Sequence, residues 1–198
     1  MMTAVTTVVL AGVGGQGTIL AGDVLAKVAM AEGYDVRLSE VHGMAQRGGS
    51  VDTVVRFGEK VYSAMVDEGG ADHLIAFEVI EAARKVPLLN PEGRLVVNER
   101  VIPPLPVLTG ALPAPTGLVA ALAYEGAVFL DAEGLACQAG SPRSANIVLL
   151  GAASYGLPFD VATWRQVIAS RVPPKTVEGN LQAFELGRAA CQEGVCET

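Results

Sequence analysis

What most limits how this chain can fold is a short β-branched run, Val5 to Leu10, that ends in Ala11-Gly12-Val13-Gly14-Gly15-Gln16-Gly17. It passes at once into Leu20, Val24 and Val28 at helical spacing, with Leu25 beside them. A chain obliged to turn from strand to helix within a few glycines reads as a buried strand, a tight turn with free backbone N–H groups, and a helix lying back on the sheet. Asp23 and Lys27 stand four apart with the acid first, which suits a solvated helix face, and Gly33 is placed to end the helix.

The rest of the chain continues the alternation. A second strand fits Asp35 to Glu40. Ser50 to Gly58 alternates, with Val51, Thr53, Val55 and Phe57 on one face, and Lys60 to Met65 is the expected antiparallel hairpin mate. Parallel order resumes at Ala71 to Phe77, then a short helix through Glu81 to Lys85, then a buried strand from Arg94 to Asn98. A proline-rich connection leads to a strand at Gly126 to Asp131, a short helix at Ala132 to Ala139, and a nearly uncharged helix at Ser144 to Tyr155, expected to be buried all round. The last third is helical: Asp160 caps a helix that turns Val161, Trp164, Val167 and Ile168 inward, and Val177, Leu181 and Phe184 mark a final one. These elements predict an α/β, Rossmann-like three-layer fold with a mostly parallel sheet, an antiparallel hairpin excursion and C-terminal helices. A chain of 198 residues suits a single domain spanning 1–198.

Charge and hydropathy narrow the function. A formal net charge of −7 and a pI near 4.8 argue against nucleic acid or an anionic membrane as partner, because phosphate neutralisation needs clustered Lys and Arg. Val101 to Tyr124 carries no charge, yet Pro103, Pro104, Pro106, Pro113 and Pro115 break it too often for a membrane span. No basic stretch precedes an apolar one at the start, so the expected location is the cytoplasm. Only 18% of residues are charged and 51% are apolar, with a mean hydropathy of +0.40, so part of the surface is expected to lie under a partner subunit. Cys137, Cys191 and Cys196 form no C-x-x-C pair and are too few for a four-thiolate cluster; reduced thiols are expected.

Two stretches carry candidate chemistry. Gly12, Gly14, Gly15, Gln16, Gly17 and Thr18 sit where a phosphate-binding turn would aim backbone N–H groups and a helix dipole at an anion. Glu40, roughly 20 residues on, sits where a dinucleotide fold places its ribose acid. The other reading of these glycines is close strand–helix packing alone. His42-Gly43-Met44-Ala45-Gln46-Arg47-Gly48-Gly49-Ser50 joins an imidazole, an amide and a guanidinium to three glycines. Arg47 could grip a carboxylate or phosphate bidentately while Gly48 and Gly49 bring backbone N–H groups to the same anion, and His42 titrates in the physiological range. The competing reading is a turn whose polar side chains cap nearby backbone. His73 reads as structural, and Asn146 and Asn180 read as fixing helix–loop junctions.

The order of these pieces resembles the gamma-type subunit or domain of the 2-oxoacid:ferredoxin oxidoreductases, the indolepyruvate branch in particular. The resemblance spans nearly the whole chain. It rests on Gly12-Val13-Gly14-Gly15-Gln16-Gly17, on His42 to Ser50 with Gln46-Arg47-Gly48-Gly49 at its centre, and on Ala71-Asp72. Phe77-Glu78 with Glu81-Ala82-Ala83-Arg84, Asn146 with Leu149-Leu150-Gly151-Ala152, and Pro173-Pro174-Lys175 ahead of Glu178, Asn180, Ala183-Phe184 and Gly187 complete it. It implies a part in coenzyme A-dependent oxidative decarboxylation of a 2-oxoacid to an acyl-CoA with reduction of ferredoxin. It also implies that thiamine diphosphate, magnesium and 4Fe-4S clusters reside in a large alpha subunit and not in this chain. The sequence agrees, since its one Gly-Asp step, Gly22-Asp23, lies within the first helix. The resemblance gives this chain a supporting role, with no catalytic base assigned; Gly12, Gly14, Gly15, Gln16, Gly17, Thr18, His42, Gln46, Arg47, Gly48, Gly49, Ser50 and Asn146 are its candidate ligand-binding or interface residues. A stand-alone dinucleotide-binding protein and a non-catalytic regulatory module remain as other readings.

Overall fold

A computed structural model describes residues 5–43, 49–123 and 127–192. Six strands, β1 (Thr6–Val13), β2 (Asp35–His42), β3 (Ser50–Gly58), β4 (Ala71–Ala76), β5 (Leu89–Asn98) and β6 (Ala127–Leu130), form one sheet in the order β2-β3-β1-β4-β5-β6. The pairs β1/β4, β4/β5 and β5/β6 are parallel, whereas β3 runs antiparallel to both β1 and β2. Val8 to Ala11 of the central β1 are wholly buried, which explains the unbroken apolar run there: helices cover both faces.

Side-chain alternation divides the core into two layers. Val8, Leu10, Val55, Phe57, Ile75 and Val96 point to one face, where α1 (Thr18–Ala31), α5 (Ala132–Gln138), α6 (Ala145–Ala153), α7 (Val161–Arg171) and α8 (Val177–Gln192) pack. Val9, Ala11, Val54, Leu74, Leu95 and Val97 point to the other, beneath α2 (Val79–Lys85) and α4 (Leu118–Leu122). The short α3 (Leu105–Leu108) lies in the proline-rich connection between β5 and β6. Helix α6 is buried from Asn146 to Ala153, as its lack of charge predicts. It crosses α8 so closely that a Cβ on Gly187 would stand 2.0 Å from the Val148 carbonyl oxygen. Trp164 and Ile168 are fully buried on α7. Asp160 caps that helix by accepting from Ala162 N at 2.9 Å.

The antiparallel excursion is present, but its pairing differs from expectation. The mate of β3 is β2, in register from Asp35↔Gly58 to His42↔Val51, and residues 60–65 form no strand. That segment lies across Arg56 instead, whose guanidinium donates to Ser63 O at 3.0 Å and Met65 O at 2.8 Å. Inserting β3 also separates β2 from β1, which removes the dinucleotide geometry: Glu40 pairs with Thr53, which in turn pairs with Leu10 of β1. At about 4.8 Å per strand, Glu40 is set roughly 10 Å aside from the strand that feeds the glycine turn. Cys137 is an exposed free thiol. Cys191 is disulfide-bonded, a departure from the expected reduced state.

Candidate functional site

The site lies along the carboxyl edge of β1, β4 and β5, where α1 leaves on one face and α2 on the other; such a switch point leaves a crevice. The turn after β1 is locked by Gln16. Its Oε1 accepts from Val13 N at 2.8 Å and its Nε2 donates to Phe77 O at 3.0 Å, tying the turn to the end of β4. Two glycines there have steric causes. A Cβ on Gly12 would meet the Gln16 and Thr18 side chains at 2.8 Å and Phe77 at 2.9 Å. Gly17 has φ +82°, and a Cβ there would meet Asn146 Nδ2 at 2.8 Å.

Gly17 is the N-cap of α1, and neither a side-chain cap nor a first-turn acid serves that end among the described residues. Its N–H donors are therefore left to solvent or a ligand. They open on a cavity of about 450 Å³ lined by Gly14, Gly15, Gly17, Thr18, Ile19, His42, Gly43 and Val51. His42 stands at the end of β2, exposed, with Nδ1 3.3 Å from Gly43 O. The two candidate stretches are thus adjacent, and Gly14 N donates to Gly49 O at 2.8 Å. Ser50 donates to the buried Glu81 carboxylate at 2.6 Å, and Arg84 meets the other oxygen of Glu81 at 3.0 Å. Asn146 lies beneath the turn, with Nδ2 donating to Gly17 O at 3.3 Å and Oδ1 accepting from Ile147 N at 3.0 Å. Gly12, Gly14, Gly15, Gln16, Gly17, Thr18, His42, Gly49, Ser50 and Asn146 therefore form one neighbourhood, whereas Gln46, Arg47 and Gly48 fall outside the described residues.

Across the turn lies a second cavity of about 540 Å³ that the sequence reading did not anticipate. The glycine turn, Phe77, Asn98, Arg100, Ile102, Glu133 and Arg143 line it. Asn98 is buried with its amide fully used: it donates to Phe77 O at 3.2 Å and Glu133 Oε2 at 2.8 Å, and accepts from Ala132 N at 3.0 Å. An asparagine directly after the buried apolar run Leu95 to Val97 of a parallel strand was the signal available for it. Glu78 caps α2 by accepting from the N–H groups of Ile80 and Glu81, and also from Ile102 N at 3.4 Å. Burial pushes its carboxyl above the usual range, against the lowering effect of those backbone donors. His73 lies buried in β4; desolvation holds its imidazole down to about 4, outweighing the opposing charge of Asp72. It is structural, as its place in a strand suggests.

Residues 7–190 match the family model described as pyruvate ferredoxin/flavodoxin oxidoreductase, and the chain belongs to that family. It is similar to the protein named indolepyruvate oxidoreductase subunit IorB of Thermococcus kodakarensis, 45% identical over 94% of this chain and 96% of the relative. The protein of the same name from Pyrococcus horikoshii is 42% identical over the same shares. Among solved structures, the gamma subunit of a keto/oxoacid ferredoxin oxidoreductase from Geobacter sulfurreducens is 26% identical with a TM-score of 0.71, covering 96% of this chain and 99% of that one. A 2-oxoglutarate:ferredoxin oxidoreductase from Magnetococcus marinus, solved with 2-oxoglutarate, coenzyme A and succinyl-CoA, shares the fold at a TM-score of 0.74 and 22% identity. The match covers 98% of this chain but 32% of that longer one.

Proposed function

We propose that the chain is the small subunit of a cytoplasmic 2-oxoacid:ferredoxin oxidoreductase of the indolepyruvate or aryl-pyruvate type. The complex converts a 2-oxoacid and coenzyme A to an acyl-CoA and carbon dioxide, and passes the two electrons released to ferredoxin. The names carried by the relatives support the subtype. That this fold occupies about a third of a longer oxidoreductase chain supports a role beside a larger, thiamine- and cluster-bearing partner. The residues described here do not fit the redox groups. No cluster of three His, Cys, Asp or Glu stands together among them, and Asp23 is engaged by Lys27 and Arg171 on the flank of α1. Thiamine diphosphate, its magnesium and the iron-sulfur clusters are assigned to the partner.

This chain's own contribution is to bind and orient. The carrying observation is the uncapped N-terminus of α1 opening on a cavity beside His42 and beside the base of the Arg47 loop. Backbone donors and a helix dipole in that arrangement receive an anion such as a phosphate of coenzyme A, with Arg47 as a second grip. Ser50, held by Glu81, fixes the end of the loop. No helix among the described residues is long and apolar enough to cross a membrane. The test is Arg47→Ala in the assembled enzyme. Its KM for coenzyme A should rise at least several-fold with the melting temperature of the free chain unchanged; wild-type kinetics would remove the loop from the site. The dinucleotide reading loses its ribose acid to the intervening β3, and calorimetric binding of NAD or NADP by the isolated chain would restore it.

A further inference from the structure

Residues 101–123 differ in kind from the rest of the surface. They contain no charged side chain, and Val101, Leu105, Leu108, Leu112 and Val119 are exposed at 51%, 71%, 69%, 57% and 43%. A solvated loop stays soluble by polar and charged residues; this one has no charge, and these five apolar side chains stay outside the core.

Nor does it hang loose. Its root is fastened where Val79 N donates to Arg100 O at 2.9 Å and Ile102 N meets the buried Glu78 carboxylate. Its far end is fastened where Leu118 and Leu122 of α4 join the core under α2, leaving Val119 outward. Between these points it braces itself: Leu108 N donates to Pro104 O at 3.1 Å and Leu112 N to Pro106 O at 3.0 Å. Leu105 and Leu108, three apart on α3, share a face. Prolines hold the backbone in one shape, so little conformational freedom is left to lose on docking. Taking about 60–120 Å² for a whole Leu or Val from the transfer scale, the five side chains expose on the order of 300 Å². That is a large part of the roughly 800 Å² one partner contributes to a stable interface.

We propose that the arm of residues 101–123 is the docking surface for the larger subunit, whose contacting face is apolar and uncharged. This rests on the reading of the chain as the small member of that assembly. Interface centres are depleted of charge because a buried charge must be paired, and an arm without charge can be desolvated against a neutral face at no such cost. A second copy of this chain is the poorer occupant: it brings another net −7, and the arm holds nothing to offset that repulsion. Position adds the functional point. Arg100 and Ile102, at the root of the arm, line the second cavity, so a protein seated on the arm overhangs the crevice beside the glycine turn and closes a site this chain leaves open.

The test uses the full chain co-expressed with its larger subunit. Hydrogen exchange of residues 101–123 should slow in the complex relative to the free chain. The double variant Leu105→Arg, Leu108→Arg should bind at least tenfold more weakly while keeping the wild-type melting temperature, since both positions are exposed. Tyr62→Arg, 88% exposed in the loop at the opposite edge of the sheet, should leave assembly unchanged. Wild-type assembly with an unprotected arm and a tightly binding double variant would overturn the docking surface and leave the proposed function standing. A wild-type chain that captures no larger subunit would overturn both. Protection of the arm in a concentration-dependent homodimer would assign it to self-association instead. If the double variant misfolds, the exchange measurement alone decides.

Discussion

Replacing a helical glycine by alanine usually stabilises, by about 0.8–1.0 kcal/mol, because glycine loses the most backbone freedom on folding. Gly187, inside α8, should do the reverse. The added methyl carbon would stand 2.0 Å from the Val148 carbonyl oxygen, against an ordinary contact of 3.4 Å or more, so α6 and α8 would have to part locally by more than 1 Å. Helix α6 has buried residues throughout that stretch, and a gap of that size forfeits a quarter to a half of each affected dispersion contact. Overpacking of this kind costs about 1–3 kcal/mol or somewhat more. With about 3 kcal/mol for the clash and about 1 kcal/mol returned by helix propensity, Gly187→Ala should be destabilised by about 2 kcal/mol, a fall of about 4–8 °C in a chain this size. The strain should also reach the site, because Asn146, at the start of α6, holds the Gly17 carbonyl. Thermal and urea melts of the isolated chain decide the matter. An unchanged or raised melting temperature would show that the crossing is looser than described and that the close approach does not hold Asn146 in place.

Gln16→Ala removes the acceptor for Val13 N, while Phe77 O keeps its bond from Asn98. About 1–2 kcal/mol should be lost, read as a lower urea midpoint at unchanged slope with faster exchange at the Val13 amide. His73 stays neutral in the fold down to about 4 against 6.5 when unfolded. The unfolded chain therefore takes up the proton first, and stability should drop by about 3 kcal/mol as pH falls from 6.5 towards 4. His73→Gln should flatten that limb of the pH–stability curve, and an unaltered limb would show that another group causes it. The indole N–H of Trp164 is buried with no partner among the described residues, so Trp164→Phe, which removes the donor and keeps most of the ring, should cost less than the about 3–5 kcal/mol of truncation to alanine.

Much of this architecture was legible in the sequence because local rules and global packing agree. The β1 turn, the charge-free α6 and the Asp160 cap each stand where periodicity and turn chemistry place them. Pairing was less legible. Alternation from Ser50 to Gly58 marks a strand but not its neighbour, and the mate turned out to be Asp35 to His42 rather than Lys60 to Met65, because register is settled by which faces the helices cover. The same limit hid the displacement of Glu40. At the site, the glycine turn could be read from spacing, whereas Asn98, Arg100, Glu133 and Arg143 come from separate elements that only the crossover connections bring to one crevice.

The strand order has a consequence for biogenesis. Strand β1 is synthesised before both of its neighbours, and its side chains from Val8 to Ala11 are apolar and wholly buried in the finished sheet. Its pairing residues, Ser50 to Phe57 on one side and His73 to Ala76 on the other, lie far downstream. At about 5–20 residues per second, the nascent chain carries this unpaired hydrophobic strand for several seconds before either edge can be satisfied. A chaperone that shields β1 until β4 emerges, or synthesis alongside the larger subunit, would then set the yield of folded protein.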